Sequence, residues 1–166
     1  MDDTLLKPAI EQAAMVERGT LSAVELLQMH FDRVDLLNPA INAVVWQDRE
    51  AAMIQAKACD AEHAQGERRG PLHGVPVTVK DSFDLAGSPS TWGMPEWKDN
   101  IRTEDSDAVR RYRDAGAIVF GKTNVPLKLV EWQTFNEIYG STLSPWDETR
   151  TPGGSSGGSA VAISTG

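Results

Sequence analysis

Two short apolar runs rich in β-branched residues, Val75-Pro76-Val77-Thr78-Val79 and Ile118-Val119-Phe120, constrain this chain more than any other feature. Runs of this length and composition suit strands covered on both faces. Between them, Asp105 or Ser106 is placed to cap a helix running through Arg113, and Gly116 supplies its stop. Strand–helix–strand order predicts parallel pairing and so the α/β class, because parallel strands need a long crossover. The 166 residues, 40% hydrophobic and 24% charged, are enough for one domain-sized core. They exclude a disordered chain, a collagen and a coiled-coil rod.

The first part, about residues 1–70, reads as mainly helical. Ser22 followed by Glu25 is a capping box, in which the serine oxygen takes an orphan amide and the glutamate reaches back to the cap. Leu26, Leu27, Phe31, Val34 and Leu37 continue an apolar stripe at helical spacing. Asn38-Pro39 predicts the end of that helix. Ala43-Val44-Val45-Trp46 reads as a short strand, and Asp48 as the cap of an alanine-rich helix from about Arg49 to Gln65. Gly66 to Gly74 breaks the pattern with charge, glycine and Pro71.

Charge and cysteine content exclude several classes of function. Lys plus Arg is 16 against 24 for Asp plus Glu, a net charge of −8, which argues against direct nucleic-acid binding. The single cysteine, Cys59, excludes an internal disulfide framework and a cysteine-based zinc site, and reads as a partly buried helix residue. The opening Met1-Asp2-Asp3-Thr4 is acidic where a secretory signal is basic, and no apolar run approaches the roughly 20 residues that span a bilayer. A cytoplasmic protein without membrane association is the expectation.

Three stretches carry candidate chemistry. Gly116 to Thr123 fits the P-loop pattern of a nucleotide site. Its middle residues, Ala117 to Phe120, look like the strand itself, whereas a P-loop needs them in a loop ahead of a helix; nucleotide binding is therefore not expected. Gly153-Gly154-Ser155-Ser156-Gly157-Gly158-Ser159 runs straight into Ala160-Val161-Ala162-Ile163. It reads either as a flexible linker or as an anion nest at a helix N-terminus, and it lacks the spacing of a dinucleotide fingerprint. Lys80 ends the apolar strand and precedes Asp81. Burial there lowers the pKa of an ammonium and makes a base of it; pairing with Asp81 in solvent is the plainer alternative.

Taken together, these pieces resemble a known family. Leu72-His73-Gly74-Val75-Pro76-Val77-Thr78-Val79-Lys80-Asp81 resembles the lysine segment of the amidase signature family, and Gly121-Lys122-Thr123-Asn124-Val125-Pro126 resembles the segment after it. Pro145-Trp146-Asp147 and Arg150 to Ala160 resemble the opening of its Gly/Ser signature. The likeness covers Leu72 to Gly166 well and the first 70 residues more loosely. It implies an α/β fold with a mixed β-sheet core covered by helices. By the resemblance, residues 1–166 are the N-terminal portion of a single domain, helical to about residue 70 and motif-bearing from about 71 to 166.

The resemblance also implies a chemistry: hydrolysis of a carboxamide C–N bond by a Ser–Ser–Lys triad, with no metal or cofactor. Lys80 is then the base and Ser155 the bridging serine, joined to Gly154 by a cis peptide. Gly153, Gly154 and Ser156 support the loop. The family's nucleophilic serine lies roughly two dozen residues past the bridging one, in a second glycine-rich segment, so it is expected beyond Gly166. Ser156, Ser159 and Ser164 do not match its position, and residues 1–166 alone are expected to be inactive. Leu127 stands where the family often has Glu. Leu129, Val130 and Trp132 approach the acyl side of the substrate by the resemblance and are candidates for pocket lining, core packing being the alternative. His73 is expected to support the turn before the lysine strand. The implied partner is a small-molecule amide, with room for a homodimer or a partner subunit. The same resemblance includes the glutamine-hydrolysing subunit of an aminoacyl-tRNA amidotransferase, and a non-catalytic anion-binding module is the reading from a different class.

Overall fold

The structure, a computed structural model, describes residues 3–166; Met1 and Asp2, and with them part of the acidic opening, lie outside the described residues. The main sheet has three strands, β1 (Val44–Gln47), β2 (Pro76–Lys80) and β3 (Ile118–Thr123), in the order β1-β3-β2. β2 runs parallel to β3 and β1 antiparallel to it, so the sheet is mixed. The crossover between β2 and β3 carries helix α4 (Asp107–Asp114). Before it come α1 (Ala9–Glu17), α2 (Ala23–Ile41) and α3 (Arg49–Ala64). A small hairpin of β4 (Phe135–Asn136) and β5 (Gly140–Ser141) follows, then α5 (Gly157–Thr165).

β3 is the keel of the core, and its alternating side chains serve two layers. Ile118 and Phe120 pack with Ala23, Leu27 and Phe31 of α2 and with Ala52, Ala56 and Cys59 of α3. The small residues of α3 let that helix lie close, and the Phe31 and Phe120 rings meet edge to face at 5.6 Å. Val119 points the other way, into a cluster with Val79, Leu85 and Val109 of α4. Helices therefore cover both faces, and Gly121 keeps β3 close to β1, since a Cβ there would approach the Trp46 carbonyl to 2.8 Å.

The capping box of α2 forms, with Ser22 Oγ accepting the Glu25 amide and the glutamate accepting the Ser22 amide. The expected stop at Asn38-Pro39 is a correction: α2 continues through Pro39 to Ile41. The terminator is Asn42, in a left-handed conformation at φ 48°, a region asparagine tolerates. Asn38 has another task, accepting the amides of Ala43 and Val44 and donating to the Val44 carbonyl, which folds the chain back into β1. α4 starts after Ser106, whose side chain makes no capping bond; Asp105 instead accepts the Ala86 amide. Cys59 is fully buried rather than partly so, and burial pushes its thiol pKa up. Among the described residues no helix is long and apolar enough to cross a membrane.

Candidate active site

The parallel register sets Lys80 beside Thr123 and Val79 beside Lys122 at the carboxyl ends of β2 and β3. α5 packs over this end. Thr123 and Ser159 share a hydrogen bond of 2.7 Å between their hydroxyls, and Val161 is buried with Ile41 and Ala43. Gly158 allows the approach, because a Cβ there would come within 2.5 Å of the Asn124 amide. The Gly-Ser loop enters α5 at this point, so the turn before the helix lies over Lys80.

Lys80 Nζ donates to Ser155 Oγ at 2.9 Å and to Ser156 Oγ at 3.0 Å. The lysine is half-buried, and that desolvation holds its pKa below the ordinary lysine range. The peptide between Gly154 and Ser155 is cis, and Gly153 sits at φ 89°, a conformation that favours glycine. Gly154 lies on the backbone of residues 131–133, where a Cβ would meet the Glu131 carbonyl at 2.6 Å.

Lys80 does not pair with Asp81. Successive strand residues point to opposite faces, and the Asp81 carboxylate turns away into a closed interior. It accepts the Thr91 amide at 3.0 Å, the Thr91 hydroxyl at 2.8 Å and the Trp92 amide at 2.8 Å. Its cationic neighbour is Lys122 at 3.9 Å, and both side chains are 0% exposed. Lys122 also donates to the Pro89 carbonyl at 2.5 Å and to Ser90 Oγ at 3.0 Å. Burial pushes its pKa down to about 8, against the opposing pull of Asp81 and Asp84. The Gly-Lys-Thr of the P-loop pattern is thus strand, with its lysine committed to a buried carboxylate.

The segment after β3 meets the site from another side. Asn124 donates to the Gly140 carbonyl and to Thr142 Oγ1, and Asn136 donates to Asn124 Oδ1 and to the Val125 carbonyl. Lys128 and Leu129 both lie at positive φ, 52° and 62°. Leu129 is half-buried, whereas Val130 is 69% and Trp132 84% exposed. None of the three lines either of two cavities, one of about 550 Å³ bordered by Leu5, Leu37, Val75 and Ile163, the other of about 490 Å³ bordered by Phe83, Trp92, Trp97 and Arg102.

His73 is buried ahead of β2, at the end of the strand away from Lys80. Its Nε2 donates to the Cys59 carbonyl at 3.0 Å and its Nδ1 accepts the Arg69 amide at 3.3 Å, which ties the loop before β2 to α3. With Cys59 and Glu62 it forms the one trio of metal-ligating types among the described residues, their donor atoms within 4.8 Å. Both ring nitrogens have protein partners, and Arg69 holds both Glu62 oxygens. Sequence reasoning does not single out Asp81 or Lys122 for any site role, nor Asn124, Thr134 or Ser159. The adjacency of Asp81 to Lys80 is a usable signal; a lone threonine in an aperiodic stretch is not one.

A lysine at a strand end thus meets two serines on a glycine turn, with a helix behind them. The model of the Amidase family matches residues 25–166, and the chain belongs to the amidase signature family. It is 43% identical over 158 residues to an indoleacetamide hydrolase of Bradyrhizobium diazoefficiens, covering 95% of this chain and 30% of that protein. It is 42% identical over 163 residues to a glutamyl-tRNA(Gln) amidotransferase subunit of Acidothermus cellulolyticus, covering 98% and 32%. Among solved structures, 6-aminohexanoate cyclic dimer hydrolase superposes with a TM-score of 0.87 at 34% identity, over 97% of this chain and 32% of that one. The chain spans about a third of the length of the curated relatives it matches.

Proposed function

We propose that this chain carries the base and the bridging serine of an amidase that cleaves a carboxamide C–N bond to a carboxylate and ammonia or an amine. The observation carrying this reading is the 2.9 Å contact between Lys80 Nζ and Ser155 Oγ, made by residues 75 apart in the chain. Unprotonated Lys80 takes the Ser155 proton as Ser155 takes one from the nucleophile. The nucleophile is a serine beyond residue 166, and residues 1–166 form the N-terminal part of its domain. The same relay, reversed, protonates the departing nitrogen. Gly153, Gly154 and Ser156 shape the turn, and Leu129, Val130 and Trp132 border the acyl side of the substrate.

The deciding experiment measures ammonia release from small amides by the polypeptide extended through its downstream glycine-rich segment. Lys80→Ala and Ser155→Ala each abolish turnover, and residues 1–166 alone release no ammonia above the Lys80→Ala control. Turnover that survives Lys80→Ala overturns the reading. The similarity to glutamyl-tRNA(Gln) amidotransferase subunits favours one further reading, a glutamine-hydrolysing subunit. Ammonia release from glutamine that depends strictly on a partner subunit selects it over the free-standing amidase.

A further inference from the structure

One buried hydroxyl outside the Lys80 cluster holds the Gly-Ser loop at both ends. Thr134 Oγ1 donates to the Gly153 carbonyl at 2.8 Å and accepts the Gly157 amide at 3.1 Å. These two anchor points lie two residues before and two residues after Ser155. Thr134 is only 2% exposed, and its carbonyl accepts the Thr142 amide at 2.9 Å, beside the β4–β5 hairpin. The fit is close: a Cβ on Gly157 would fall on the Thr134 hydroxyl, and one on Gly154 would strike the backbone of residues 131–133.

We propose that Thr134 is a positioning residue, which fixes Ser155 Oγ against Lys80 Nζ by fastening both ends of the five-residue turn. The inference rests on the reading of Lys80 and Ser155 given above. Lys80 is placed by strand pairing with β3, but a turn with glycine at 153, 154 and 157 has wide backbone freedom of its own. A single hydroxyl bonded to both ends of that turn closes it into a short ring. Proton transfer needs heavy atoms about 2.6–3.2 Å apart, and a displacement of about 1 Å costs up to about 100-fold in rate.

The test compares Thr134→Val, which keeps the volume and removes both bonds, with Thr134→Ser, which keeps them. Both are made in the enzyme that includes its downstream nucleophile segment. Thr134→Val is expected to lower kcat roughly 10- to 100-fold with KM little changed. The acid limb of its pH profile moves to higher pH, because a loosened turn lets water reach Lys80 and relieves the burial that holds its pKa down. Thr134→Ser restores both rate and profile. If Thr134→Val does not fold, Thr134→Ala against Thr134→Ser isolates the hydroxyl in the same way. Wild-type kcat and pH profile in the variant lacking the hydroxyl overturn the inference. A loss in Thr134→Ser as large as in Thr134→Val does so too, since volume would then be what matters. Lys80→Ala and Ser155→Ala run alongside: if they retain turnover, the underlying reading fails and this inference with it, whereas inactive controls beside a fully active Thr134→Val sink this inference alone.

Discussion

The carboxyl ends of β2 and β3 each present a lysine, and the two ends are built for opposite purposes. Lys80 is half-buried and donates to two neutral hydroxyls on a turn. Lys122, one strand over, is sealed from solvent and fastened to Asp81, Ser90 and the Pro89 carbonyl. Burial lowers both pKa values, but of the two only Lys80 is partly open to solvent, and it is the one to which the proposed function gives the transfer of a proton. A depressed lysine pKa therefore identifies desolvation and does not identify a base. The partners differ: hydroxyls on a glycine turn in one case, a buried carboxylate that accepts from Thr91 and Trp92 in the other.

Exchanging the expected outcomes of the two lysines would break this comparison. The largest effect is expected at Lys80: in the extended enzyme, Lys80→Ala abolishes measurable turnover, a loss of at least the roughly 10²–10⁴-fold that a general base contributes, while its melting temperature stays near that of the parent. Lys122→Met should do the reverse to the fold, costing about 3–5 kcal/mol in denaturant unfolding because Asp81 is left buried and uncompensated. The double variant Asp81→Asn with Lys122→Met should recover much of that loss; recovery no better than the single variant would show that the pair is not the unit. Next in size is a pH effect. The folded-state pKa of Lys122, about 8, lies below the ordinary lysine value of 10.5, so the unfolded chain binds the extra proton between them. The cost of burying the ammonium is felt in full below pH 8 and is relieved as pH rises toward 10.5, a gain in stability of at most about 3 kcal/mol. Unfolding free energies across that range, parent against the double variant, measure this slope directly. The smallest effect is expected for Ser156→Ala, which removes one of two acceptors from Lys80 and should slow turnover by about 2- to 10-fold, the worth of one hydrogen bond.

Local signals in the sequence locate much of this molecule. The Ser22–Glu25 box, the Asp48 cap and the two β-branched runs each mark an element that forms nearly where the residues place it. The failures share a cause. Pro39 by its local preference ends a helix, yet α2 passes through it because Asn38 and Asn42 turn the chain three residues later. Lys122 and Thr134 take their meaning from partners far along the chain, Pro89 at 33 positions and Gly157 at 23. No periodicity encodes such pairs. Lys80 stands out by its place at the end of an apolar strand and the Gly-Ser loop by its composition, but Ser155 is legible as the partner of Lys80 only through motif likeness; their meeting across 75 positions is a property of the folded sheet.

The strand order β1-β3-β2 has a consequence for how the chain comes into being. The central strand is the last of the three to be synthesised, so neither β1 nor β2 finds its partner in this sheet until Thr123 has left the ribosome. At common elongation rates of about 5–20 residues per second, β1 waits on the order of ten seconds. During that time α2 and α3 hold out the apolar faces meant for Ile118 and Phe120. The nascent chain thus passes through an aggregation-exposed interval whose length is set by the position of a single strand.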